Sequence, residues 1–134
     1  MRVLITGADG FLGANLCKRL QERGHQVTGA ALSRKGETSL DALGVKVRLE
    51  YGDITDVAYV ERIVNAYEIE VIYHLAGVSI VRVAERDPGR AIRTNVLGTL
   101  AVCEAAQRAG ARVLVASSDK AYGDHGGTPY TEGL

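Results

Sequence analysis

The 134-residue sequence predicts an α/β fold, a doubly wound parallel sheet of about five strands with helices on its faces. Three observations predict it. Short apolar runs alternate with amphipathic stretches along the chain, the pattern of successive βαβ units. Three glycines, Gly7, Gly10 and Gly13, stand where the first apolar run gives way to the first amphipathic one. No repeat, low-complexity tract or linker interrupts residues 1–134, which are therefore read as one domain.

The first strand is "RVLITG" (2–7), ending in glycine. Leu12, Leu16 and Leu20 then mark one helical face, Lys18, Arg19, Glu22 and Arg23 the wet one, and Gly24 the stop. "HQVTGAAL" (25–32) is the second strand, "SRKGETS" a polar loop, "LDAL" a short helical turn, and "VKVRLEY" (45–51) an alternating third strand. Asp56 reads as an N-cap for a helix carrying Val60, Ile63, Val64 and Tyr67. "EVIYHLAG" (70–77) is a buried fourth strand, with His74 expected as a satisfied core residue. A long helix is expected after Pro88, with Ile92, Val96, Leu100 and Cys103 inward and Gly110 as its stop, before a fifth strand at 111–118.

Right-handed crossovers give the expected strand order 3-2-1-4-5 and leave the fifth strand on an open edge. An open edge invites pairing, so the chain is expected to form a homo-oligomer or to need a further, C-terminal half.

Lys plus Arg and Asp plus Glu both number 16; no polybasic run or aromatic-basic interleaving suggests nucleic acid, and a net charge of zero argues against electrostatic membrane binding. No window reaches the roughly 18 apolar residues of a membrane span. "MRVLITG" enters a strand without room for a signal segment. Cys17 and Cys103 lack metal-ligand spacing and read as reduced core thiols of a cytoplasmic protein.

The GxxGxxG spacing of Gly7, Gly10 and Gly13 points to a dinucleotide site. Gly7 allows the tight turn, Gly10 lets backbone approach a pyrophosphate, and Gly13 lets helix and strand pack closely. The amides opening the helix, at Phe11, Leu12 and Gly13, would face the phosphates. In "GDITD", Asp53 would accept the adenine amino proton and the Ile54 N–H would donate to the ring. The second strand offers Ala31 where an acid usually holds the ribose of NAD. Ser33, Arg34 and Lys35 follow, either to embrace the 2′-phosphate of NADP or as a solvated basic loop; the residues leave both open.

With "TGADGFLG", "GDITD", "HLAG", "TNVLGT" and "SSDKAYG" in order, the chain resembles extended short-chain dehydrogenases/reductases, the NAD-dependent epimerase/dehydratase family, over their N-terminal Rossmann part. "VTGAALSRKGETSL", "VSIVRVAERDP" and "SSDKAYGD" are most similar to nucleoside-diphosphate-sugar 4,6-dehydratases of the CDP-glucose type. That subgroup also tends to lack the second-strand acid, so the resemblance implies NAD, with NADP the other possibility. It implies Leu75, Ala76 and Gly77 beside the cofactor and Asn95 as the family's structural asparagine in the cofactor site. It also implies a nucleotide-sugar substrate, with Ser118 bonding the sugar 4-hydroxyl, Asp119 protonating the departing 6-hydroxyl and Lys120 at the position of the C5 base.

The family takes the 4-hydroxyl proton with a Tyr-x-x-x-Lys pair, whose lysine lowers the tyrosine pKa from the next helical turn. None of the six tyrosines here has that lysine: Thr55, Ile63, Val71, Gly77, Gly126 and Leu134 stand in its place. The chain is thus expected to bind NAD(P) but to be inactive alone, as part of a 4,6-dehydratase or epimerase-type enzyme. The alternative is a stand-alone, non-catalytic NAD(P)-binding or regulatory module.

Overall fold

The computed structural model describes residues 1–34, 36–124, 126–127 and 129–132. Five parallel strands, β1 (Arg2–Thr6), β2 (Gln26–Ala31), β3 (Arg48–Tyr51), β4 (Val71–His74) and β5 (Arg112–Val115), form one sheet in the order β3-β2-β1-β4-β5. The expected order is the observed one. Between the strands run α1 (Phe11–Glu22), α2 (Ser39–Ala42), α3 (Val57–Ala66), α4 (Val81–Arg86), α5 (Pro88–Ile92), a π-helical segment (Arg93–Gly98) and α6 (Thr99–Ala109). A 3₁₀ turn (Asp119–Tyr122) follows β5.

Strand geometry sends successive side chains to opposite faces, and the central strand β1 uses both. Val3 and Ile5 pack with Ala14, Cys17 and Leu20 of α1, while Leu4 packs with Val60, Ile63 and Val64 of α3 and Val102, Ala105 and Ala106 of α6. Helix starts are set locally. Asp56 accepts the amides of Ala58 and Tyr59 at 3.0 and 3.3 Å, as expected of an N-cap, and Thr38 with Asp41 closes a capping box on α2. Gly110, at φ 69°, ends α6.

Several expectations need correction. The stretch after Pro88 is not one regular helix, and a short α4 precedes it. Its expected inner face points outward: Ile92, Val96, Leu100 and Cys103 are all exposed, and the face on the sheet is Gly98, Ala101, Val102, Ala105 and Ala106. The π segment adds a residue per turn and rotates the stripe, and small side chains let α6 lie close to the sheet. Cys103 is therefore no core thiol, whereas Cys17 is buried, and burial pushes its thiol up to about 12. Leu12 is exposed; Gly13 and Ala14 take its place inside. The third, fourth and fifth strands are each shorter than expected: β3 lacks residues 45–47 at its start, where the Val45 amide bonds back to the Leu40 carbonyl, whereas β4 and β5 end early and their last expected residues enter the loops at the site. Among the described residues no helix is long and apolar enough to cross a membrane.

Candidate dinucleotide site

The loops leaving β1, β2, β3 and β4 converge at the C-terminal end of the sheet, where the chain crosses from one side of β1 to the other. Ligands of open α/β sheets bind at such a switch point. Two clefts, of about 370 and 1040 Å³, meet there and share Gly7, Asp9, Ala76, Gly77 and Val78.

The glycine turn forms the shared floor. Gly7 sits at φ 68°, its amide and that of Ala8 bonded to the Ala30 carbonyl at 2.8 and 3.2 Å. A Cβ on Gly13 would stand 2.1 Å from the Gly7 carbonyl oxygen, so only glycine lets α1 start this close to β1. The first turn of α1 has no side-chain cap, and its first backbone bond is Ala14 N–H to the Gly10 carbonyl at 2.9 Å. Among the described residues the amides of Phe11, Leu12 and Gly13 thus find no acceptor in the chain, and all three residues line the larger cleft. Free amides at a helix N-terminus suit a phosphate. The Phe11 ring itself is 82% exposed.

The smaller cleft lies between the ends of β2 and β3 and the π segment. Asp53 lines it, with Oδ1 engaged by the Thr55 amide and hydroxyl at 2.9 and 2.8 Å and Oδ2 carrying no bond from the described residues. Ile54 is buried beneath, against the bare face of Gly98. Arg90 and Arg93 line the same cleft, which the sequence reading missed; their i, i+3 spacing beside Pro88 was the available signal. Ser33 and Arg34 are exposed and line neither cleft, and Arg34 pairs with Asp41 at 3.2 Å. Lys35 lies outside the described residues.

Leu75, Ala76 and Gly77 form the wall facing the glycine turn. Asn95 holds that wall, accepting the Val78 amide at 2.7 Å and donating to the Val78 carbonyl at 3.1 Å. His74 is buried, as expected, between the Thr6 and Thr99 hydroxyls, and burial lowers its pKa. Arg82 is exposed on α4.

Beyond β5, Ser118 and Asp119 line the larger cleft and Lys120 does not. Ser118 Oγ accepts the Lys120 amide at 3.2 Å and donates to Asp119 Oδ1 at 3.3 Å. Lys120 Nζ lies 3.9 Å from Asp119 Oδ2, and both side chains are open to solvent. No group of three or more potential metal ligands occurs among the described residues.

Residues 3–134 match the sequence profile of the NAD dependent epimerase/dehydratase family. The chain belongs to that family. It is 32% identical to the UDP-glucose 4-epimerase of Neisseria meningitidis serogroup C, over 99% of this chain and 41% of that protein. It is 34% identical to the dTDP-glucose 4,6-dehydratase of Mycolicibacterium smegmatis, over 92% and 38%. Among solved structures, the UDP-glucose-4-epimerase of Stenotrophomonas maltophila with bound NAD and formylated UDP-arabinopyranose superposes with a TM-score of 0.86 at 26% identity, over 98% of this chain and 41% of that one. This family member thus spans about two-fifths of the length of those relatives.

Proposed function

We propose that these 134 residues are the NAD-binding domain of a nucleotide-sugar 4,6-dehydratase or epimerase-type enzyme. The observation that supports this most is the uncapped start of α1, packed against Gly7 so closely that only glycine fits at position 13. The cradle fits a dinucleotide. The α1 amides would bind its pyrophosphate, Asp53 Oδ2 its adenine amino group, and Ala76 and Gly77 would border its nicotinamide half. When bound, the cofactor supplies hydride acceptance and return at the sugar C4.

The lining of the larger cleft by Ser118 and Asp119 favours dehydration within this reading. Asp119 is a proton donor for a departing hydroxyl, which epimerisation does not need, and Ser118 would orient the 4-hydroxyl. Lys120 would abstract the C5 proton after turning into the cleft. The motifs resembling the CDP-glucose type favour a cytidine nucleotide. Turnover requires a Tyr-x-x-x-Lys pair, which the sequence lacks, and removing such a base costs on the order of 10²–10⁴ in rate. The two free cysteines accord with a reducing, cytoplasmic setting.

The second reading, a non-catalytic NAD(P)-binding module, is favoured by one observation: Ser118, Asp119 and Lys120 bond one another at the surface. Titrating the chain with NADH and NADPH, followed by nucleotide fluorescence, tests the shared premise. Saturable binding with NADH preferred is expected; no binding of either nucleotide refutes both readings. Adding nucleotide sugar then separates them, since only the enzyme domain would bind it in the larger cleft.

A further inference from the structure

We infer that His74 is a positioning residue of the dinucleotide site, locked as the neutral Nε2–H tautomer in a relay that holds the Ala76 wall against the glycine turn. The inference rests on the proposed function and extends it to residues outside the ligand-facing surface.

The tautomer follows from counting protons. The Thr99 hydroxyl has one proton and gives it to the Asn95 carbonyl at 2.7 Å. Toward His74 Nε2, 3.0 Å away, that oxygen can only accept, so Nε2 carries a hydrogen. At the other end the Thr6 hydroxyl accepts the Ala76 amide at 3.1 Å and, shared with the Thr6 carbonyl, the Leu75 amide at 3.1 Å. Its two lone pairs are then used, and its proton points to His74 Nδ1 at 2.7 Å, which must be bare. Every donor and acceptor in the series finds a partner in only one way. Thr6 and His74 are 1% and 2% exposed, so water cannot substitute.

The relay acts on the site through Ala76. A Cβ on Gly7 would stand 3.0 Å from the Ala76 amide nitrogen and Cα, so this wall and the glycine turn are in near contact. Ala76 lines both clefts, and Thr6 immediately precedes Gly7. Removing the Thr6 hydroxyl deprives the Ala76 and Leu75 amides of this acceptor, and placing a proton on Nδ1 makes the hydroxyl accept from the ring and release an amide; either way the wall shifts where the pyrophosphate would lie. At the other end Thr99 ties the ring to the Asn95 turn, which itself grips Val78. Loop and π segment are thus set by one imidazole.

The test uses the 134-residue chain. Long-range ¹H–¹⁵N spectra of the His74 ring are expected to show a neutral Nε2–H imidazole at pH 7. NADH titrations are expected to give Thr6→Ser within about threefold of the unsubstituted chain, and Thr6→Val and Thr99→Val weaker by about tenfold or more at temperatures far below their melting points. A hydroxyl that served stability alone would lower the melting temperature and leave NADH affinity unchanged. An Nδ1–H or doubly protonated ring overturns the relay with no substitution needed, as does NADH binding by Thr6→Val equal to that of Thr6→Ser. If the unsubstituted chain binds no NADH, the proposed function fails and this role fails with it; if it binds and the variants match it, only the relay fails.

Discussion

Gly13 lies against the carbonyl of Gly7, leaving no room for even a methyl group on its Cα. The contact sets both how close α1 comes to β1 and where the free amides of its first turn point. Gly13→Ala must push the helix away from the strand, and overpacking of this kind costs about 1–3 kcal/mol. A fall in the urea midpoint is expected, together with at least a tenfold loss of NADH affinity. Gly24→Ala meets no neighbour but sits at φ 78°, so it is expected to lose stability while keeping its affinity. Equal affinity losses in the two variants would show that the close contact has no special bearing on the ligand.

Asn95 makes a two-bond grip on Val78 that no other side chain of its size reproduces. Aspartate can still accept the Val78 amide, but it has no proton for the Val78 carbonyl and sets two oxygens facing each other. Asn95→Asp is therefore expected to bind NADH more weakly than Asn95→Ala, by a few-fold at pH 7, with the difference narrowing as the carboxyl protonates. Parallel titrations at pH 7 and pH 5 check the order. If Asn95→Ala binds as well as the unsubstituted chain, the grip is irrelevant to the site.

The glycine turn, Asp56 and the strand order were legible because each is written in local sequence: spacing, a cap residue, alternating hydrophobicity. The stretch from Pro88 to Gly110 was misread because its largest apolar residues mark the wrong face. Gly98, Ala101, Ala105 and Ala106 allow close packing, and the π turn breaks the 3.6-residue phase used to choose a face. His74 was recognised as satisfied, but its partners were not, since Thr6 lies 68 residues before it and Thr99 lies 25 after. Pairings at such separations exist only once β1, β4 and the start of α6 have come together. Arg34 shows the converse: a loop that looked like a ligand-binding segment has a local partner in Asp41.

Acid should unfold this protein in two stages with distinct causes. Burial holds the His74 pKa below 6.5, so as pH falls the unfolded chain takes up that proton first. Stability attributable to His74 is complete above pH 6.5 and declines below it, by up to about 1.4 kcal/mol per pH unit for one proton. Glu50 has its carboxyl held below 4.5, chiefly by the Tyr67 hydroxyl and then by Arg62, so its contribution is present above pH 4.5 and lost below. Urea titrations from pH 8 to pH 3 are expected to show both declines. His74→Gln should flatten the upper one, and Tyr67→Phe should reduce the lower one without abolishing it, because Asp41, held down by Thr38, and Glu70, held down by the Arg2 amide, titrate in the same window; unchanged profiles in these variants would assign the acid sensitivity elsewhere.

The apolar surface outside the core should make the chain associate. Val96, Leu97 and Leu100 are 58, 49 and 53% exposed along the π segment and the start of α6. Leu114 and Val115 are exposed as well, on the edge strand β5. Isolated apolar residues on a surface need no cover, but a run along one helical stretch and an open sheet edge each invite a partner. Sedimentation velocity is expected to show concentration-dependent self-association in the micromolar range, weakened by Leu100→Glu and insensitive to salt. A monomer at every concentration would mean that these side chains tolerate water. Association that salt abolishes would instead point to ionic contacts, for which the exposed arginines Arg90 and Arg93, rather than the apolar run, would be the first residues to replace.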